Sequence, residues 1–312
     1  MYDHIKRSIR FDASTLHRVF ENPETVLEDI EGFWEREAPL RHAADWHRMV
    51  DVPIAWDRFR QGVESIAALN PEERKRHPAL ATGDVLLRRE PEFLSKGLDH
   101  LCSYLPKNPA TLDIIIYFAG FLRTNAFACG QIVIDVASPY FQDNTLSVED
   151  RASWMLNLLV HECWHGGYCE NQEQWTETPP DDEMLYGLLR SLQNEGVATY
   201  VNYTAQDVFP SPIDPDLHAI DDLDACRAAL ASVNDIFSQY GTIPQADFNK
   251  LSWEQGVIGR AYYVGGAHMA RTIEAAGGRS ALTDSIATGP ASFMTAYNQC
   301  VDAQHRVRVP GM

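Results

Sequence analysis

Apolar positions in this chain recur mostly at helical spacing. Val26, Leu27, Ile30, Phe33 and Trp34 follow Asn22–Pro23–Glu24, a helix start, and similar patterns occupy about 53–69 and 91–104. Residues 1–105 therefore read as helical. At Pro106 the texture changes. Residues 111–118 form a β-branched and aromatic run of strand length, and residues 131–136 form a second. Between them Gly120 to Gly130 is turn-rich, which predicts a hairpin or two neighbouring strands. After Pro139 the helical period returns at about 148–165, 182–207, 219–239, 254–276 and 290–302. The expectation is a predominantly helical α+β chain with one small sheet just before a long helix. It divides into an N-terminal helical region (1–105), a core (106–210) and a C-terminal helical region (211–312) that completes the cleft.

The helix predicted over 148–165 opens on Ser147–Val148–Glu149–Asp150, a capping-box-like start, and is expected to end at Gly166–Gly167. It carries His161–Glu162–Cys163–Trp164–His165, an HExxH pattern. At about 100° per residue the two histidines lie about 40° apart around the axis, so both imidazoles can reach one metal ion. Glu162 lies about 60° from His165, close enough to touch a water on that ion without ligating it. Trp154 and Leu158 on the same face would hold the site against the core. The competing reading is a pair of core histidines. Cys163 points about 180° from the midpoint of the two histidines, which argues for packing rather than ligation.

A catalytic zinc needs a third protein ligand and an open position. Tyr168 and Asn171 stand where a metzincin would place its glycine and third histidine, so that class is excluded. Glu195 is the better candidate, because Leu188, Leu192, Glu195 and Thr199 fall on one helical stripe and set a carboxylate among buried positions. Thr199 is expected to support the ligand by hydrogen bonding. Gly196 would let another backbone approach closely. The alternative is that Glu195 pairs with Arg190 or faces solvent.

Strands, an HExxH helix and a downstream Glu-bearing helix together resemble the gluzincin metallopeptidases, including uncharacterised families of predicted zinc-dependent proteases. The likeness covers about 110–300 and is specific at His161, Glu162, His165 and Glu195. The segments 195–198 and 261–266 look like the ligand helix and the C-terminal helix of such families. The resemblance implies a zincin-like core, a Zn2+ cofactor, a peptide or protein substrate, and Glu162 as the group that moves the water's proton. It also implies an oxyanion donor from the C-terminal helix, for which Tyr262, Tyr263 and His268 are candidates, Tyr262 fitting the spacing to Gly265 best. Extended substrate would pair with the strand segment 123–136, with Asn125 and Ala126 lining the cleft. The 29 residues between His165 and Glu195 are more than in the best-known members, so an inserted loop is expected there. Two other classes stay open. One is a helical binding protein with a structural or vestigial metal site. The other is a di-iron carboxylate protein, which would need a second ExxH that the chain lacks.

Charge narrows the partners. The net charge of −18 disfavours nucleic acid, since the only short basic clusters are fragments such as Arg74–Lys75–Arg76. No apolar window has signal-peptide or membrane-spanning length. Six cysteines in 312 residues, with no CxxC pair, point to reduced thiols, and a cytoplasmic location is expected. Six acids lie in the fourteen residues from Glu170 to Glu183. Such a run reads either as a solvated loop or as a lid that favours cationic substrates.

Overall fold

The computed structural model describes residues 6–50, 56–106, 111–122, 124–141, 145–172, 175–177, 182–211 and 214–311. By packing, the chain divides into two compact units, each discontinuous in sequence. The first comprises Met1–Asp99, Thr111–Gly166 and Val208–Ser211, and the second His100–Ala110, Gly167–Asp207 and Pro212–Met312.

The first unit holds a four-stranded sheet of β1 (Lys6–Asp12), β2 (Thr111–Ala119), β3 (Ala126–Cys129) and β4 (Gln131–Asp135), in the order β1-β2-β4-β3. β1 runs parallel to β2 with Phe11 opposite Ile116, and β2 runs parallel to β4 with Phe118 opposite Ile134. β3 is antiparallel to β4, Ala126 opposite Ile134, and forms an edge of the sheet. The two expected strands are thus neighbours, but parallel, and the hairpin lies inside the turn-rich link. Ile114, Ile116, Phe118 and Ala119 of β2 are all buried, as a central parallel strand requires.

β1 corrects the all-helical reading of the first 105 residues. Only Ile9 and Phe11 alternate inward between charged and polar neighbours, a period-2 signal too short to stand out. Phe11 packs edge-on to Phe118 at 5.1 Å, and its N–H donates to Glu90 Oε1 at 2.8 Å.

The same unit holds helices α1 (Ser14–Glu21), α2 (Pro23–Glu28), α3 (Ile30–Arg36), α4 (Ala38–Met49), α5 (Trp56–Ala67), α6 (Pro71–Lys75) and α7 (Pro78–Glu92), of which α1, α4 and α7 pack on the strands. The pattern from Val26 to Trp34 reads as one helix but is two. Asp29 breaks it at φ −139° and caps α3 by accepting from Gly32 N–H. A π-helical turn, Phe93–Gly97, leads into α8 (Leu98–Cys102).

α9 (Val148–Gln172) starts as its sequence predicts: Ser147 Oγ accepts from Asp150 N–H at 3.0 Å and donates to the Asp150 carboxylate at 2.7 Å. It does not stop at the paired glycines. A Cβ on Gly167 would sit 2.7 Å from Leu105 Cδ2, so that glycine serves close packing inside a continuing helix. The extension takes up part of the 29-residue separation.

The second unit is built on α10 (Glu183–Thr204), α11 (Pro215–Asp221), α12 (Leu223–Gln239), α13 (Gln245–Leu251), α14 (Gly266–Thr288) and α15 (Pro290–Cys300). α14 is kinked at Gly278, where φ is 77°. Two π-helical stretches, Ser252–Ile258 and Ala261–Gly265, join α13 to α14. Among the described residues no helix is long and apolar enough to cross a membrane.

Candidate metal centre

On α9, Trp154, Leu159, Val160, Cys163 and Trp164 are fully or almost fully buried, which anchors the helix. Trp154 packs on Tyr140 and Phe141, whereas Leu158 is only half-buried. The burial of Cys163 fits its packing role. His161 and Glu162 are buried and His165 is half-buried, with the two imidazole rings 4.8 Å apart and almost perpendicular.

α10 is capped by Asp182, which accepts from Met184 and Leu185 N–H at 3.1 Å each. The Tyr240 hydroxyl and these N–H groups hold that carboxyl below the usual range. Leu188, Leu192 and Thr199 are buried along the expected stripe, and Glu195 is half-buried among them. Next to the carboxylate, α10 meets the start of α14 backbone to backbone. A Cβ on Gly196 would lie 2.3 Å from Gly266 Cα, and one on Gly266 would lie 2.4 Å from the Leu192 carbonyl oxygen. The close approach expected of Gly196 is therefore present. Thr199 Oγ1 donates to the main-chain oxygen of Glu195 at 2.8 Å, so it acts on the backbone that carries the ligand. Arg190 donates to Gln172 Oε1 at 2.6 Å and lies over the Trp175 ring.

His161, His165 and Glu195 each offer a ligand atom, and these atoms lie within 4.8 Å of one another. Among the described residues this is the only such group of three or more. Two imidazoles and a carboxylate form a donor set that suits zinc. Tetrahedral bonds of about 2.0–2.2 Å set donors about 3.3–3.6 Å apart, a contraction within reach of side-chain rotation. The residues present therefore fit the metal.

Over residues 76–304 the chain matches the model of the family described as "Putative zinc dependent peptidase (DUF5700)". The chain belongs to this family. No curated protein and no solved structure matches it. The match spans the HExxH helix, α10 and the segment 252–266, so it covers every residue proposed above for the site.

The remaining candidates fall in distinct settings. Tyr262 is buried with its ring against Gly256 and its hydroxyl 2.7 Å from Ser252 Oγ; burial pushes its pKa up. Tyr263 is half-buried, with the Arg260 guanidinium 3.1 Å above its ring centre. His268 faces a cavity of about 500 Å³ that Cys226, Arg271 and Cys300 also line, and burial lowers its pKa. Asn125 accepts from Asp135 N–H through its carbonyl at 2.9 Å and from Ser138 Oγ through its side chain at 2.7 Å. Ala126 begins the edge strand β3.

Of the six acids at 170–183, Glu173 and Asp181 lie outside the described residues. Glu177 caps α15 by accepting from Ala291 and Ser292 N–H at 3.1 and 2.9 Å, and Asp182 caps α10. Those two charges serve helix termini.

Two residues escape the sequence. Asp135, fully buried, ends β4 and accepts from Phe121 and Ala137 N–H at 2.9 and 3.0 Å. Desolvation pushes its pKa up to about 8 against these hydrogen bonds. The only signal was a charge closing an apolar run. Arg260, at φ 61°, carries no sequence signal at all.

Proposed function

We propose that this chain is a zinc-dependent hydrolase, most specifically a peptidase, with His161, His165 and Glu195 holding the metal. The convergence of these three ligand atoms within 4.8 Å carries the reading, with Glu162 on the same helix as the two histidines. When bound, zinc supplies Lewis acidity that activates water and polarises a carbonyl. Glu162 takes the attacking water's proton and delivers it to the departing amine. Its low exposure strengthens its electrostatic effect on that proton. A tyrosine hydroxyl from 262–263 stabilises the developing oxyanion. Tyr262, whose hydroxyl lies 2.7 Å from Ser252 Oγ, and Tyr263 are the two candidates for that donor. Ala126, the first residue of the outer strand β3, holds extended substrate by main-chain pairing, because an edge strand leaves one row of N–H and C=O groups unpaired, and Asn125, whose carbonyl is taken by Asp135 N–H, lines the cleft beside it. A reducing cytoplasm suits the five described cysteines, none of which is in a disulfide.

Metal analysis of the purified chain beside His161→Ala, Glu195→Ala and Glu162→Gln tests the ligand set. The expected result is about one zinc per chain in the wild type and in Glu162→Gln, with large losses in the other two. Retained zinc in Glu195→Ala would remove the third ligand, and a metal-free wild type would return the histidines to the core. Incubation of a mixed peptide pool with wild type and Glu162→Gln then tests catalysis, and equal absence of cleavage overturns it.

A further inference from the structure

Arg260 sits between the two π-helical stretches, in the left-handed region at φ 61°. A non-glycine residue there is strained, and such strain persists where surrounding contacts over-determine it. Those contacts are on one edge and one face of the guanidinium. Nε donates to both carboxylate oxygens of Asp216, at 3.2 and 2.9 Å, and Nη2 donates to Asp216 Oδ2. The guanidinium carbon lies over the Tyr263 ring, 3.1 Å from its centre. Asp216 is itself fixed at the start of α11, where its N–H donates to the Asp214 carboxylate at 3.0 Å. The plane and the rotation of the guanidinium are thus both set before any ligand arrives.

Arginine has two edges that can each hold a carboxylate through two parallel N–H bonds. Asp216 takes the Nε–Nη2 edge. Among the described residues no further hydrogen bond is made from the Nη1–Nη2 edge, on a side chain that is 40% exposed. The π-helical stretch that follows Arg260 runs directly into Gly266, whose backbone packs against Gly196, the neighbour of Glu195. Burial works against the Arg260 cation, but Asp216, with lesser support from Tyr263 and Glu195, outweighs it and raises its pKa. The arrangement is a cation held in place at the helix crossing that carries a proposed metal ligand, in a chain whose net charge is −18.

We propose that Arg260, oriented by Asp216 and Tyr263, is a carboxylate receptor that selects substrates bearing an anionic group next to the scissile bond. That substrate assignment rests on the peptidase reading, whereas the receptor itself does not. The carboxylate comes either from a substrate C-terminus or from an acidic side chain, and the two bind the same edge. Such a receptor runs opposite to a preference for cationic substrates. Zinc, when bound, would offset the Glu195 charge and favour the anion further.

The test measures binding to zinc-loaded Glu162→Gln protein by calorimetry or intrinsic fluorescence. N-acetylphenylalanine supplies a terminal carboxylate, N-acetylglutamic acid α-amide a side-chain carboxylate, and N-acetylphenylalanine amide neither. At least one carboxylate is expected to bind about tenfold or more tightly than the amide, and raised salt to shrink that ratio. Adding Arg260→Lys, which keeps a charge for Asp216 but has no fork, is expected to reduce the ratio severalfold while melting remains cooperative. Equal binding of carboxylates and amide overturns the receptor without any substitution. A ratio unchanged by Arg260→Lys assigns the carboxylate to the zinc and overturns it too. Cleavage of peptide pools with free and amidated C-termini reads the substrate class separately. If no pool is cleaved while the binding ratio holds, the peptidase reading fails and the receptor stands.

Discussion

Two kinds of backbone carry the candidate chemistry. α9 and α10 are long regular helices on which the helical period sets where His161, Glu162, His165 and Glu195 stand around each axis. Phe121 and Arg260 are the non-glycine residues at positive φ among those described, and each lies in a connection between regular elements. In both turns an aspartate carboxylate holds the residue: Asp135 accepts from the Phe121 N–H, and Asp216 accepts from the Arg260 side chain. A helix places a side chain through hydrogen bonds it makes anyway. A left-handed turn needs a dedicated partner, so a change in that partner should act on the turn without disturbing the helices.

The largest effect is expected on the helical side. Glu162→Gln keeps the size and burial of the side chain but removes the group that accepts a proton. Turnover of any peptide substrate should fall about a hundred- to ten-thousand-fold, with zinc content unchanged. Steady-state kinetics beside metal analysis checks this. A variant that loses zinc as well as activity would make Glu162 part of the ligand set, and position on the helix would no longer separate the roles.

Next comes the crossing that holds Glu195. Gly196→Ala drives a methyl group into the Gly266 backbone, which cannot rotate away as a side chain can. About 1–3 kcal/mol of stability should be lost in urea denaturation, with weaker zinc binding because the carboxylate moves with α10. Gly266→Ala should behave alike, since its Cβ meets the Leu192 carbonyl. Full stability in either variant would mean that α10 is free to shift, and that the ligand position does not depend on the crossing.

These helices were also the legible part of the molecule. HExxH, the Leu188–Leu192–Glu195–Thr199 stripe and the role of Gly196 all follow from period and residue type, because burial of one face is a local property of sequence. What stayed hidden depended on partners distant in the chain. β1 needs β2 to make sense of two inward residues. Gly167 reads as a stop signal until Leu105 is known to lie against it. Glu177 belongs to an acidic run in sequence and to the N-terminus of α15 in space. Arg260 is the extreme case, since Asp216 and Tyr263 give it meaning only together.

The turn side of the comparison has its own test in pH. Asp135 has its pKa raised by burial to about 8, well above the usual carboxylate value near 3.8. The folded chain then binds a proton that the unfolded chain releases, and stability falls as pH rises from about 4 to about 8. The slope contributed by one group is at most about 1.4 kcal/mol per pH unit. Asp135→Asn keeps an acceptor for the Phe121 and Ala137 N–H groups and cannot ionise, so this component of the slope should vanish. Denaturation of both proteins across that range measures it. An unchanged slope would show that the carboxyl is ionised when folded, and that the turn is pinned by a charge rather than by a neutral acceptor.

The smallest effect returns to α10. Gly187 lies on the same helix as Gly196, but a Cβ there meets nothing within 4 Å. Glycine in a helix interior costs backbone entropy and alanine does not, so Gly187→Ala should stabilise the chain by about 0.5–1 kcal/mol and leave zinc content alone. The same substitution on one helix is thus expected to change sign with position, because propensity decides at Gly187 and backbone contact decides at Gly196. Urea denaturation of the two variants side by side reads that contrast directly. Destabilisation by both would mean that α10 is restrained along its whole length, so that even an open position answers to packing rather than to local propensity.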